Sequence, residues 1–166
     1  MTVCIPFENL NKISSRSELE SRVVLREIGK SIIAQEFLTG KIATVDIIRN
    51  AKTGQTVTVP RYELLRNPNG CGIAVQTFSD EKLQDICSRL AEKLALNGVV
   101  NAEFFCTEKG WRIIEINPRF SAGTEYSCLA GANVVLNAAA IADGRECTAN
   151  VTYGRHYAKR YETYEL

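Results

Sequence analysis

Glu103-Phe-Phe-Cys-Thr-Glu-Lys-Gly-Trp-Arg-Ile-Ile-Glu115, closed by Ile116-Asn117-Pro118-Arg119, is the stretch that decides the fold. Val99 to Thr107 reads as an apolar strand and Trp111 to Asn117 as another, with Glu108-Lys109-Gly110 between them. A three-residue loop ending in glycine, which tolerates positive φ, joins antiparallel strands well. Such a loop pairs Thr107 with Trp111, so Glu103 falls opposite Glu115 and Asn101 opposite Asn117. Side chains two apart share a face, so Glu115 and Asn117 project with Glu103, and Arg119 can follow them. Opposed residues hold their Cβ atoms about 5 Å apart, and like charges placed so repel. A hard cation between the acids resolves the repulsion, and oxygen ligands of this kind suit Mg²⁺ or Mn²⁺ held jointly with substrate phosphates. The competing reading is an ordinary acidic hairpin facing solvent. A one-residue slip of register would part Glu103 from Glu115.

The 166 residues amount to one domain, and 45% hydrophobic content is enough for a proper core. A net charge of +1 gives no electrostatic case for nucleic acid or an anionic membrane. No apolar run reaches the roughly 18 residues a membrane-spanning helix needs, and the opening residues do not read as a signal peptide. Cys4, Cys71, Cys87, Cys106, Cys128 and Cys147 are scattered without a C-x-x-C pair. That spacing favours free thiols in a reducing compartment over disulfides or zinc, so the cytoplasm is the expected location.

Upstream, the first 15 residues read as irregular, broken by Pro6, Asn9 and Asn11. Ser17 with Glu20 gives a capping-box pattern for a helix carrying Leu19, Val23, Val24 and Ile28 and stopped by Gly29. Strands are expected over Ser31–Phe37, Ala43–Arg49, Thr56–Leu65 and Ile73–Phe78, with Pro60 arguing for an edge or a bulge. Asp80 caps a long amphipathic helix with Leu83, Ile86, Leu90, Leu94 and Leu96 mostly on one face, ended by Asn97-Gly98. After the hairpin come two small-residue helices, Glu125–Ala130 and Val134–Ala142, and a last strand over Tyr153–Tyr164. Strands close enough in sequence for hairpins, mixed with helices, predict an α+β fold: a largely antiparallel sheet flanked by helices.

The segments Asn101-Ala-Glu103-Phe-Phe and Ile113-Ile-Glu115-Ile-Asn117-Pro-Arg119-Phe-Ser resemble the C-terminal catalytic core of the ATP-grasp superfamily. The branch they resemble is the carbamoyl-phosphate synthase large-subunit-like group, which includes amino-acid ligases such as the pyrrolysine-pathway enzyme. Ser121-Ala-Gly-Thr124 through Leu129-Ala-Gly-Ala132 is similar to the turn and small-residue helix that follow the motif in that family. Ser31-Ile-Ile-Ala-Gln35-Glu36-Phe37-Leu38, continuing to Asp46, is similar to the strand and hinge that hold adenine. Together the matches cover roughly residues 31 to 145, in family order.

The resemblance implies the C-terminal subdomain of an ATP-grasp fold and an ATP-dependent ligase that activates a carboxylate as an acylphosphate for attack by an amine. It implies ATP and Mg²⁺ (or Mn²⁺) as cofactors and small-molecule carboxylate and amine substrates, without nucleic acid or membrane. Glu103, Glu115 and Asn117 take the metal positions, Arg119 the catalytic basic one, and Glu36, Phe37 and Leu38 the adenine contact. Arg61 and Arg66 align loosely with phosphate- or substrate-facing basic residues, with exposed solvated arginines as the alternative. Asp46 is either a polar group of the site or a solvent-facing strand residue. His156, the single histidine, reads as a surface or strand-packing residue.

The sequence also departs from the family. Residues 1 to 30 contain only Gly29, so no Gly-rich loop that would nest phosphates is visible, and Ile42 stands where the ribose-binding acid is expected. These departures lead to the expectation of one domain over residues 1–166 that is a partial ATP-grasp, either a piece of a larger enzyme or a shortened relative. Two rival readings are a nucleotide-binding or regulatory module without catalysis, and a structural domain that self-associates through the aromatic-rich final strand.

Overall fold

The computed structural model describes residues 2–5, 9–24, 33–160 and 165, which divide into two compact units, Met1–Thr39 and Gly40–Leu166. In the first unit, β1 (Thr2–Ile5) pairs antiparallel with β2 (Asn9–Lys12) and with β3 (Ile33–Gln35). The opening segment is therefore not irregular. Pro6 and the asparagines made it look broken, but the short apolar run of β1 lies between two partners.

Helix α1 (Arg16–Val24) is capped two residues earlier than expected. Ser15 Oγ, not Ser17, accepts the Glu18 backbone N–H at 3.1 Å, and the Glu18 carboxylate accepts from the Ser14 backbone N–H. Ser15 and Glu18 have the same three-residue spacing as Ser17 and Glu20, so the pattern exists in two frames and the backbone takes the earlier one. The expected stop at Gly29 and the first two residues of the Ser31–Phe37 strand lie outside the described residues.

The second unit is built on a six-stranded sheet in the order β8-β7-β4-β5-β6-β9, every neighbouring pair antiparallel. Its strands are β4 (Lys41–Arg49), β5 (Thr56–Arg66), β6 (Gly72–Thr77), β7 (Gly98–Thr107), β8 (Gly110–Asn117) and β9 (His156–Ala158). Helices α2 (Glu81–Lys93), α3 (Thr124–Leu129) and α4 (Val134–Ala142) complete it. The α+β, largely antiparallel expectation is the architecture found.

Alternation along the strands separates the two faces. Val45, Ile47, Val100, Ala102 and Phe104 pack against Leu83, Cys87 and Ala91 of α2. On the other face Ile48 and Val59 pack with Val134 and Ile141 of α4. Asp80 caps α2 as expected, its carboxylate accepting the Leu83 N–H at 2.8 Å. Leu94 does not join the core: α2 ends at Lys93 and Leu94 is exposed.

Pro60 is not on an edge strand. It is buried in β5 between β4 and β6, one residue beyond the β5–β6 ladder, which begins at Arg61↔Thr77. Its carbonyl accepts from Phe78 N–H on that flank, so its missing donor falls where the ladder has already ended. The final strand is short, His156–Ala158, and residues 161–164 of the expected span lie outside the described ones. No helix among the described residues is long and apolar enough to cross a membrane.

Between α3 and α4, Gly131 adopts φ +106, and a Cβ there would drive into the Asn150 carbonyl. Gly131→Ala is expected to destabilise the protein by about 2 kcal/mol or more, the left-handed backbone penalty plus displacement of the 150 segment. Urea denaturation followed by circular dichroism measures it, and a loss below the backbone penalty alone would contradict the close approach.

Candidate functional site

One face of the sheet carries a polar column that the sequence spreads over four strands. Thr44 and Asp46 of β4 stand opposite Glu103 and Asn101 of β7 on one side, and Thr44 stands opposite Arg61 of β5 on the other. On β8, Glu115 is paired with Glu103 and Asn117 with Asn101. The shared two-residue period sends these side chains to one face, beyond the end of the α4 packing. There an open groove of about 350 Å³ is lined by Arg61, Glu63, Arg66, Glu103, Glu115, Asn117, Arg119 and the Asn69–Gly72 loop, among others.

The facing acids arise by a different route from the one the spacing suggests. The hairpin closes tighter, pairing Thr107 with Gly110 and Cys106 with Trp111. That register alone would set Glu103 against Ile114. A bulge between Phe104↔Ile113 and Glu103↔Glu115 absorbs Ile114 and restores the acid pair. The expected pairing is therefore present, but a tighter turn and a bulge produce it, not a three-residue loop.

Beneath the groove lies a buried ion pair. Arg61 Nη1 donates to Asp46 Oδ2 at 2.9 Å, and both side chains are 1% exposed. Asp46 also accepts from Asn101 Nδ2 at 2.8 Å, Ser127 Oγ at 2.6 Å and Ser121 Oγ at 3.2 Å. Arg61 Nη2 donates to Ser121 Oγ at 2.9 Å. Burial pushes the Asp46 carboxyl up, but the Arg61 charge and the hydrogen bonds from Ser127, Arg61 and Asn101 outweigh it and hold the group below its ordinary value. Arg61 is thus not a solvated surface arginine, and Asp46 is not a solvent-facing residue. Charged residues inside a strand that is otherwise apolar were the one available signal. Ser121 and Ser127 carried none, because serine after a turn and in a helix has many uses.

The predicted residues divide into two groups. Glu103, Glu115, Asn117 and Arg119 all line the groove. Glu103 Oε2 accepts from Arg66 Nη2 at 2.9 Å, Glu115 Oε1 accepts from Asn117 Nδ2 at 2.7 Å, and exposed Arg119 donates to the Phe120 carbonyl. Glu36 and Phe37, both exposed, and half-buried Leu38 belong to the first unit, in the segment after β3, whereas the groove is built from the second. Glu63 was not foreseen. Its side chain is 6% exposed, with Arg61 Nε and Arg66 Nε each 3.9 Å from its oxygens. His156 is exposed on β9.

Among the described residues no group of three His, Cys, Asp or Glu side chains is clustered to hold a metal unaided. Two opposed carboxylates and one amide oxygen fit a hard cation that takes its other ligands from phosphate and water. Cys71, Cys87, Cys106, Cys128 and Cys147 are unpaired. Burial pushes the Cys87 thiol up to about 12, which makes it an inert core residue.

Comparisons with known proteins bear on this geometry. A family model described as "ATP-grasp in the biosynthetic pathway with Ter operon" matches residues 29–163. The ADP complex of purK, an N5-carboxyaminoimidazole ribonucleotide synthetase, superposes with a TM-score of 0.67 at 16% identity over 93% of this chain and 44% of that one. The Staphylococcus aureus N5-carboxyaminoimidazole synthetase gives 0.67 at 15% identity, over 92% of this chain and 42% of that one. A biotin carboxylase-beta-gamma-ATP complex from Campylobacter jejuni gives 0.63 at 15% identity, over 84% and 34%. At these identities the likeness is one of fold, and the chain spans about two fifths of the length of the two synthetases.

Asp46→Asn leaves the Arg61 charge buried without its counterion and is expected to cost about 3 kcal/mol at neutral pH. A depressed carboxylate pKa stabilises the fold above its unfolded value, and that contribution is lost as pH falls through the native one. The gap between wild type and Asp46→Asn should therefore close on acidification below about pH 3.8. Urea midpoints measured across that range test it, and a gap that widens in acid would contradict the assignment.

Proposed function

Because the chain belongs to the ATP-grasp family, we propose that it carries the metal- and phosphate-binding part of an ATP-dependent ligase of the carbamoyl-phosphate synthase-like branch, one that joins a carboxylate to an amine. The observation that carries this reading is Glu103 directly opposite Glu115 on the wall of a groove that also holds Asn117 and Arg119. In this reading residues 1–166 are the C-terminal part of the ATP-grasp fold and act as a fragment of a larger ligase.

The reaction begins with attack of the substrate carboxylate on the γ-phosphorus of ATP. The bond to the β-phosphate oxygen breaks, giving ADP and an acylphosphate. The amine then attacks the acyl carbon, the carbon–nitrogen bond forms, and phosphate leaves with the bonding pair. Phosphoryl transfer of this kind depends on positioning and charge neutralisation more than on proton chemistry. Glu103, Glu115 and Asn117 would hold Mg²⁺, the two acids through carboxylate oxygens and Asn117 through its amide oxygen. When bound, the metal supplies charge neutralisation at the β- and γ-phosphates. Arg119, whose fork of donors matches phosphate oxygens better than a lysine ammonium, would neutralise the transferring phosphoryl group. Glu36, Phe37 and Leu38 would meet the adenine edge.

A second reading, a nucleotide-binding module without catalysis, is favoured by Ile42. This residue is half-buried on β4 opposite Phe105, where the resemblance calls for a ribose-binding carboxylate. Single-turnover ADP formation separates the two readings.

Calorimetric titration with ATP, with and without Mg²⁺, tests the metal assignment. Mg²⁺-dependent binding is expected in the wild type, and Glu115→Ala should weaken it by roughly a hundredfold, since even outer-shell partners of a metal are worth 10- to 100-fold. The circular dichroism spectrum should stay unchanged, because Glu115 is exposed and outside the core. Equal affinity in wild type and variant would overturn the metal assignment.

A further inference from the structure

Arg66 stands between two carboxylates and satisfies only one of them. Its Nη2 donates to Glu103 Oε2 at 2.9 Å, the acid that the proposed function assigns to a cation. Its Nε is buried without a hydrogen-bond partner, 3.9 Å from Glu63 Oε2, which is also buried and unpartnered. Glu63 is held in place: its carboxylate lies over Gly72, where a Cβ would collide with it, and its other oxygen is 3.9 Å from Arg61 Nε. A buried donor and a buried acceptor facing each other just beyond bonding distance are costly to leave unmade. Closing 3.9 Å to the usual 2.9 Å needs a shift of about 1 Å, small for a long side chain at the end of a strand that keeps 26% of its surface exposed.

We propose that Arg66 is a two-position counterion: it neutralises Glu103 while no cation is present and transfers to Glu63 when a divalent cation takes Glu103. This rests on the metal reading of Glu103 and Glu115. The guanidinium and the cation compete for the same oxygens, because both cannot sit against Glu103 without repulsion. Glu63 gives the displaced charge a buried partner, which lowers the cost of cation entry. It also leaves Arg66 at the groove wall beside Asn69, Gly70 and Cys71, its remaining donors available to the anionic ligand that accompanies the metal. Arg66 is therefore a positioning residue that couples cation arrival to the presentation of a guanidinium. It does not itself handle the reacting atoms.

The test is a titration of the 166-residue chain, uniformly labelled with ¹⁵N, with Mg²⁺ alone, followed at the arginine Nε–H signals. Arg66 is assigned by the signal lost in Arg66→Gln. On saturation its Nε–H should move to a hydrogen-bonded position and its exchange with water should slow on the order of tenfold, as for a newly protected donor. Amide signals of Glu103 and Glu115 report metal binding independently. If those amides respond and the Arg66 Nε–H does not, the two-position exchange is overturned while the metal site stands. If neither responds, both fall.

A variant cycle read by Mn²⁺ affinity, through water-proton relaxation, gives a second measurement. Glu63→Gln should weaken Mn²⁺ binding by roughly fivefold when Arg66 is present, the magnitude of a partly buried charge pair. The same change in the Arg66→Gln background should have less than half that effect. Equal losses in the two backgrounds would mean simple charge removal and would overturn the exchange.

Discussion

The Asp46–Arg61 ion pair is the interaction around which the second unit is assembled. It lies at 1% exposure in the middle of the sheet, where an isolated charge of either sign would cost several kcal/mol. That cost is offset by a hydrogen-bond network that leaves only Arg61 Nε without a partner: Asp46 accepts from Arg61, Asn101, Ser121 and Ser127, and Arg61 donates to Asp46, Ser121 and Ser127. The five residues come from β4, β5, β7, the turn after β8 and α3. Forming the pair therefore fixes three strands, one helix and the exit of the hairpin at once. Ser121 lies two residues beyond Arg119, so the turn that carries the exposed arginine is anchored by the same buried charges. The floor of the groove is rigid for this reason, and the mobile chemistry is left to the long side chains on its rim.

The architecture was legible because it follows from the alternation of apolar residues. Val45, Ile47, Val100, Ala102 and Phe104 mark the α2 face of the sheet, and the Asp80 cap marks the start of the covering helix. What the sequence did not reveal depended on long-range partners. Strands β1 and β2 are too short, and β2 too interrupted by asparagine, for a local pattern to mark them. Leu94 has the right spacing for the helix face but falls after the backbone has left the helix. Pro60 looked like an edge marker because strand number and neighbours are not written locally, and only the end of the β6 ladder explains it.

The candidate site shows the same division. Glu103, Glu115, Asn117 and Arg119 could be read because the hairpin brings them together within 17 residues of sequence. Even so, the pairing of the two acids came from two compensating features, a turn one residue shorter than expected and a bulge at Ile114. Register is a sum along the strand, so errors of opposite sign cancel and leave the endpoint intact. Asp46, Arg61, Glu63 and Arg66 meet the hairpin only through strands 37 or more residues away, and a lone charged residue gives no sign of which partner it will find.

The balance of charge on the groove wall explains how such a site exists without ligand. Arg61 is paired with Asp46 and Arg66 with Glu103, so the β7 acid of the hairpin is neutralised from a neighbouring strand, while Glu115 accepts from Asn117 and Arg119 donates to the Phe120 carbonyl. That neutrality has a consequence. In the proposed reading, a cation entering at Glu103 must displace Arg66 or add to it, and a phosphate reaching Arg66 must meet a guanidinium already committed to a carboxylate. Under the proposed function cation and anion would therefore bind best together, each releasing the protein charge that the other needs. A hairpin with two bare acids would bind metal more tightly alone, and a wall of bare arginines would bind phosphate more tightly alone. In that reading a wall where charges are paired would discriminate against either by itself and favour their complex, which is the form the proposed metal–ATP substrate would take.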